Sequence, residues 1–396
     1  MPCANIRIPK EFLILRDMKF ADILGHQEVK ERLIHQVTSE RVSHAQLIVS
    51  PPGVGALPLA LAYTALLGCK NPSANDSCGE CGHCKKIANL AHPDLHITFP
   101  YPNVTGKSGV SGEIFFKEFR EAFTENPFLS LSDWGEKLDS GNKQLNIPKA
   151  EVTDIIKHMS LKPNESEYRF LIMWCPENLG ETGNMLLKFI EEPPPKTLLL
   201  FVGSDPEKIL NTIISRTQKL NLKRPSREEI KGFLVLQKGV EEQKATKISQ
   251  MCEGDVNKAL KLTLTFEDEY SEKLFDLFRF CIKTDGVELI NWSQEISALN
   301  REEQKNFLTY GQHTIREVLF INEGAEALVY STNQHLDKLK GLARFLNAGQ
   351  IAMLNSEIDK ALYHLERNLN KKLVFLDFAL RVLEIVKAKN LTLLNT

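Results

Sequence analysis

The chain has 396 residues, 42% hydrophobic and 25% charged, with a formal net charge of -2. That length sets a prior of two or three domains, and the apolar fraction is ample for buried cores. Well-mixed charge gives no general attraction for nucleic acid, no run approaches the roughly 18 uninterrupted apolar residues of a membrane span, and the N-terminus lacks a charged-then-apolar secretory layout, so a cytoplasmic protein with no membrane partner is expected.

Residues 1–17 precede the first fold signal, Met18-Lys19-Phe20, and read as an N-terminal extension, with Met18 an alternative start. The apolar run Ala45 to Val49 predicts a strand. It leads into Ser50-Pro51-Pro52-Gly53-Val54-Gly55-Ala56-Leu57, which has the glycine spacing of a phosphate-binding loop without its chemistry. A working loop follows its last glycine with a lysine for the terminal phosphates and a hydroxyl for Mg²⁺. Ala56 and Leu57 stand in those two places, and Pro58 deletes an N–H from the first helical turn. Gly53 and Gly55 serve the turn; nucleotide is expected to bind weakly or not at all.

Cys69, Cys78, Cys81 and Cys84 form a C-x8-C-x2-C-x2-C run in a segment rich in Gly, Asn and Ser. Four thiolates suit one tetrahedral Zn²⁺, and with no further ligand needed the site reads as closed and structural. His83 lies inside the knuckle and is an alternative ligand, though the cysteines beside it are better placed. A redox C-x-x-C pair or two disulfides are the competing readings, which a cytosolic compartment disfavours. Cys3, Cys175, Cys252 and Cys281 are scattered and read as ordinary thiols.

Further strands are predicted at Asp94 to Phe99, Arg169 to Trp174 and Leu198 to Gly203, with a short fifth near Leu220 to Leu222. Alternation with helical periods argues for a parallel α/β sheet whose strand ends face ligands or partners. Residues 101–148 lack clear helix or sheet continuity at their ends and carry Phe115, Phe116, Phe119, Phe123, Phe128 and Trp134. This is an insertion, whose aromatics make either a small local core or a docking surface. A helix from about Thr182, with Met185, Leu186, Phe189 and Ile190 on one face, is stopped by Pro193-Pro194-Pro195. After Pro225 the strands end. Three short helices are predicted at Glu228 to Leu236, Lys244 to Met251 and Val256 to Leu264, and the remainder is helical. Ile351, Leu354, Ile358, Leu362, Leu365 and Leu369 form one long apolar stripe, read as bundle core. Basic patches with interleaved aromatics for direct DNA readout are not apparent in the sequence, which leaves room for a local basic stripe.

The layout from Met18 onward resembles the AAA+ clamp-loader family. Phe20-Ala21-Asp22-Ile23-Leu24-Gly25-His26 is similar to its opening motif, the cysteine spacing to its zinc module, and His92-Pro93-Asp94 precedes a strand as it does there. Leu186-Leu187-Lys188-Phe189-Ile190-Glu191-Glu192-Pro193-Pro194 is close to the family's L-L-K-x-[LI]-E-E-P-P. The resemblance implies an AAA+ P-loop-like sheet domain over residues 18–225, carrying the zinc module at 69–84 and the insertion at 101–148. A helical lid at 226–266 and an all-α collar for oligomerisation at 267–396 would follow.

Departures from hydrolysing members are as informative. Two acidic residues are expected after the strand Arg169 to Trp174, where this chain has Cys175 and Pro176; Glu177, the nearest carboxylate, reads as a solvated helix-start residue. Gly254-Asp255-Val256-Asn257 resembles the second sensor with Asn257 in place of its arginine. Ile214-Ser215-Arg216-Thr217 resembles the S-R-C motif, whose arginine reaches a neighbour's ATP, so Arg216 is the expected catalytic residue in trans and Ser215 its motif partner. The resemblance implies a zinc-bearing, non-hydrolysing loader subunit with no ATP of its own. Its implied partners are gamma/tau-type ATPase subunits, the delta subunit and, through the complex, a sliding clamp and primer-template DNA. The alternatives are a gamma/tau-like hydrolysing subunit and a zinc-stabilised adaptor unrelated to replication.

Overall fold

The computed structural model describes residues 18–103, 111–140, 143–265, 268–325, 329, 333–367 and 369–388; the extension expected at 1–17 and residues 104–110 of the insertion lie outside these. The described residues divide into two compact units. One runs to Lys238 and includes Glu253–Lys258; the other comprises Gly239–Cys252 and the residues from Ala259 on.

In the first unit the strands in chain order are β1 (Ala45–Val49), β2 (Leu95–Thr98), β3 (Tyr101–Pro102), β4 (Leu145–Asn146), β5 (Arg169–Trp174), β6 (Thr197–Gly203) and β7 (Gln218–Asn221). Five of them form one sheet in the order β2-β5-β6-β1-β7, with every pair parallel. β5 and β6 are buried along their whole length, as a sheet covered on both faces requires. β7 buries only Leu220 and exposes Lys219 and Asn221, the pattern of an edge strand protected by charge. The predicted α/β fold with a parallel sheet and a helical remainder is observed.

One sheet face packs Leu47, Leu171, Met173, Leu199 and Phe201 against Val152, Ile155 and Met159 of the helix Lys149–Met159. Truncating such a side chain costs about 2–5 kcal/mol. The helix Ala56–Leu67 is buried at every residue from Ala56 to Leu66, so it is apolar all round, not amphipathic. The helix expected from Thr182 is only partly α: tighter 3₁₀ turns run over Gly180–Leu186, and α geometry holds over Leu187–Glu191.

The insertion is more ordered than its sequence suggested. The helices Phe116–Glu125 and Leu131–Lys137 stand on a ribbon in which β3 pairs antiparallel with β4. Phe119 stacks on Phe99 at 4.1 Å between ring centroids, Trp134 meets both edge-on, and Trp134 Nε1 donates to Pro100 O at 2.7 Å. Phe119, Phe123, Phe128 and Trp134 are buried, so the aromatics make a local core, with Phe115 and Phe116 half-buried at its margin. Glu151 anchors the segment by accepting from Gly112 N (2.7 Å), Thr98 Oγ1 (2.9 Å) and Tyr101 OH (3.3 Å).

The second unit is helical. Its longer helices include Asp268–Lys283, Gly286–Ala298, Arg301–Asn322, Ala348–Glu366 and Lys371–Lys387. Asn300 with Glu303, and Asn347 with Gln350, form reciprocal caps that satisfy the first-turn N–H groups. Trp292, Phe307, Phe375 and Phe378 meet in its core. The predicted stripe holds for Ile351, Leu354, Ile358 and Leu365, whereas Leu362 is half-buried, Leu369 is exposed beyond the helix end and Ala361 takes the inward place. Among the described residues, no helix is long and apolar enough to cross a membrane.

Candidate functional site

The emptied loop sits at the carboxyl end of β1, where ligands of open α/β sheets bind. Ser50 N donates to Gly203 O at 3.0 Å, prolonging the ladder before the chain turns. Gly53 (φ +74°) and Gly55 (φ +93°) are left-handed, and Gly55 caps the helix Ala56–Leu67, which explains why both glycines stand here. Ala56 and Leu57 are buried, 7% and 4% exposed, where a lysine and a hydroxyl would have to reach a phosphate. His26 Nε2 donates to Val54 O at 2.9 Å, and burial lowers the His26 pKa below its ordinary value.

Other groups close on the loop. A side-chain carbon at Gly53 would lie 2.0 Å from Asp255 Oδ1, and one at Gly55 would lie 2.9 Å from the Phe128 ring. Val256 N and Asn257 N both donate to Gly53 O, at 3.0 and 3.3 Å. Asn257, 4% exposed, accepts at Oδ1 from Asn126 Nδ2 (2.6 Å) and donates from Nδ2 to Asp133 Oδ2 (2.7 Å). The residue read as a lost sensor is therefore a buried tie to the insertion. After β5, Cys175 is buried in a left-handed turn (φ +56°), and burial raises its thiol pKa. Glu177 does lie in the first turn of a helix, the short 3₁₀ turn Pro176–Asn178, but it is half-buried and not simply solvated: its Oε1 accepts from Ser204 N (3.1 Å) and Ser204 Oγ (2.8 Å).

The Sγ atoms of Cys69, Cys78, Cys81 and Cys84 all lie within 4.8 Å of one another. Cys78 and Cys84 are 3.9 Å apart and Cys81 and Cys84 3.4 Å, against about 3.8 Å for two thiolates on a tetrahedral Zn²⁺ with 2.3 Å bonds. Backbone N–H groups of Cys78, Cys81 and Cys84 point at the sulfurs of Cys69, Cys78 and Cys81, at 3.3, 3.3 and 3.5 Å. Burial pushes the Cys81 thiol up, but N–H donors led by Cys84 outweigh it and bring the pKa down to about 6. The Cys81 N–H lowers Cys78, whereas burial raises Cys69 and Cys84. Four converging sulfurs with N–H support fit a structural divalent metal.

His83 is not among these ligands. Its Nε2 donates to Thr64 O (3.1 Å), leaving Nδ1 to accept from His92 Nε2 (2.9 Å), while His92 Nδ1 accepts from Asp94 N (3.1 Å). Each ring thus donates once and accepts once, as only neutral imidazoles can. Burial lowers both pKa values, that of His92 to about 4 with help from His83. Asp94 in turn accepts from the N–H groups of Asn164, Glu165 and Ser166. The run His92-Pro93-Asp94 therefore braces the cysteine module and the loop before β5, a role that spacing alone did not disclose.

Arg216 follows the short helix Asn211–Ile214. Its Nε meets Glu191 Oε1 at 2.6 Å, and Nη1 donates to Thr212 O (3.1 Å) and Ser215 Oγ (3.3 Å). The two charged side chains are 35% and 48% exposed. Thr217 Oγ1 donates to Ile213 O at 3.1 Å, so the hydroxyl in the usual cysteine place is spent on the turn.

A family model described as DNA polymerase III, delta subunit, matches residues 25–226, just over half the chain. DNA polymerase III subunit tau of Bacillus subtilis is 24% identical over 257 residues, 63% of this chain and 38% of that protein. Subunit delta' of B. subtilis is 26% identical over 245 residues, 62% of this chain and 60% of that protein. Subunit delta' of Escherichia coli is 23% identical over 364 residues, 89% of this chain and 92% of that protein. The chain thus spans less than two thirds of the two B. subtilis relatives.

Proposed function

The chain belongs to the DNA polymerase III delta-subunit family, and from that premise we propose that it is a delta-prime-type clamp-loader subunit. It does not hydrolyse ATP, and it lends Arg216 to the ATP site of a neighbouring gamma/tau-type subunit. With that subunit and the delta subunit it helps open a sliding clamp and place it on primed DNA, in the cytoplasm. The observation that carries this reading is the burial of Ala56 and Leu57 at the lysine and hydroxyl places, with Asp255 against Gly53. A carboxylate beside the loop has the wrong sign for phosphate, and the two places where the lysine and hydroxyl of a working loop would stand hold Ala56 and Leu57.

Arg216 suits action on a neighbour. An ion pair this exposed contributes only about 0–1 kcal/mol, so Glu191 holds the guanidinium without trapping it. Against a γ-phosphate the planar fork stabilises charge on the transferring oxygens, an effect on the order of 10³ to 10⁵ in rate. Cys69, Cys78, Cys81 and Cys84 would hold a structural Zn²⁺, which ties the segment 69–84 to the end of the helix Ala56–Leu67.

The test is reconstitution with gamma/tau-type and delta subunits, measuring assembly and clamp-stimulated ATP turnover. Saturable micromolar ATP binding with Mg²⁺-dependent turnover by the isolated chain would favour the gamma/tau-like reading. Failure to join those subunits would favour an adaptor outside replication.

A further inference from the structure

We propose that the insertion segment Asn126–Asp133 is a built-in occupant of the phosphate loop, holding it from within the chain as a bound nucleotide would from outside. The proposal goes beyond the loader assignment and rests only on the reading of the loop as nucleotide-free. Three sets of contacts carry it. The Phe128 ring covers Gly55, at 2.9 Å from where a Cβ would stand. Asn126 and Asp133 grip the buried Asn257 side chain from both of its polar ends, at 2.6 and 2.7 Å. Asn257 and Val256 N–H groups in turn grip Gly53 O, and Asp255 lies over Gly53.

The segment is itself set rigidly. Asn126 Oδ1 accepts from Phe128 N (3.0 Å), which fixes the ring's approach. Asp133 Oδ2 also accepts from Ser130 N (2.7 Å) in the cap of the helix Leu131–Lys137, so one carboxylate starts that helix and receives Asn257. The insertion's aromatic core therefore has an output: it presents one ring and two polar side chains to the loop. The start of the helix Val256–Thr265 becomes a fixed part of the sheet unit with no phosphate between them.

Hydrogen exchange on the full chain tests this. Asn257→Asp keeps the shape but loses the donor to Asp133 and sets two carboxylates together; Phe128→Leu keeps apolar bulk but removes the ring. Leaving a buried partner unpaired shifts a local opening equilibrium by about tenfold or more. Exchange in peptides covering 53–57 and 253–258 is expected to rise about tenfold or more in both variants, while β5 and β6 peptides keep wild-type rates. Unchanged loop exchange in both variants overturns the proposal. So does equal acceleration across β5 and β6, which would make the tie a support of the whole unit. ATP-dependent protection of 53–57 in the wild-type chain would overturn the nucleotide-free reading as well, and is separately visible.

Discussion

Replacing Arg216 with alanine separates structure from catalysis because the two expected effects differ greatly in size. In the isolated chain the substitution removes a 2.6 Å pair with Glu191 whose members are 35% and 48% exposed, plus a 3.1 Å bond to Thr212 O. Solvent screening limits the pair to about 0–1 kcal/mol, and Thr212, an exposed residue, keeps Ser215 Oγ as a donor to its O at 3.2 Å, so the denaturation midpoint should move little. In the reconstituted loader the same change removes positive charge from the transition state of the site it serves, expected to slow that site by about 10³ or more. The whole-complex rate then falls by that site's share, or collapses if the sites fire in concert. The assay is steady-state ATP turnover with clamp and primed DNA, alongside a denaturant melt of the subunit and sizing of the complex. Glu191→Gln, which frees the guanidinium, should keep turnover within a few-fold of wild type. Normal turnover by an assembled Arg216→Ala complex would refute the in-trans role and leave Arg216 as a surface partner of Glu191.

Protein purified without chelator should contain one zinc per chain, and Cys78→Ser should lose it and speed exchange across 69–88; an apparent metal contribution of roughly 10–16 kcal/mol is typical of such sites, and stoichiometric absence of zinc would remove the assignment. Ala56→Lys should not create ATP binding, because the new ammonium is buried beside a loop still covered by Phe128 and Asp255; a saturable ATP isotherm would contradict this. Burial raises the Glu151 carboxyl, but His96 and the donors Gly112 and Thr98 outweigh it and hold the folded-state pKa below its ordinary value. A depressed carboxyl contributes stability that is complete above its unfolded pKa, about 4.3, and lost as pH falls through the folded value. Glu151→Gln should therefore cost about 1–3 kcal/mol at neutral pH and flatten the acid limb of a Trp-fluorescence titration; an unchanged acid slope would exclude Glu151 as its source.

What was legible in the sequence followed from local pattern. β5 matched its predicted limits because a strand buried on both faces is a continuous apolar run. β2 proved one residue shorter at each end, where the Asp94 carboxylate accepts from three N–H groups and Phe99 joins the insertion's aromatic stack. The insertion helices were missed for a local reason: Asn126-Pro127 breaks the pattern between them, and Gly135 interrupts the second. The motif singled out Arg216 as a candidate, but its pairing with Glu191, 25 residues away, was not legible there. Asn257 was read as a missing arginine since its partners, Asn126 and Asp133, lie 131 and 124 residues away. No window of local sequence contains that contact.

If the loop is nucleotide-free, as proposed, removing catalytic charge is not by itself enough to make it stable. Gly53 and Gly55 keep the left-handed turn between β1 and its helix, and such a turn exposes backbone that a nucleotide would otherwise cover. A void there forfeits dispersion contacts, and uncovered N–H groups must find water or protein. Under the proposed function, Ala56 and Leu57 in the lysine and hydroxyl places give up nucleotide affinity without supplying a replacement for either loss. Phe128 supplies the contacts, and the Asn126–Asn257–Asp133 chain supplies polar ties that do not come and go with nucleotide. The insertion and the emptied loop, on the proposal above, act as one device: Phe128→Leu should disturb the loop, and a chain lacking the segment would have to cover Gly55 by other means.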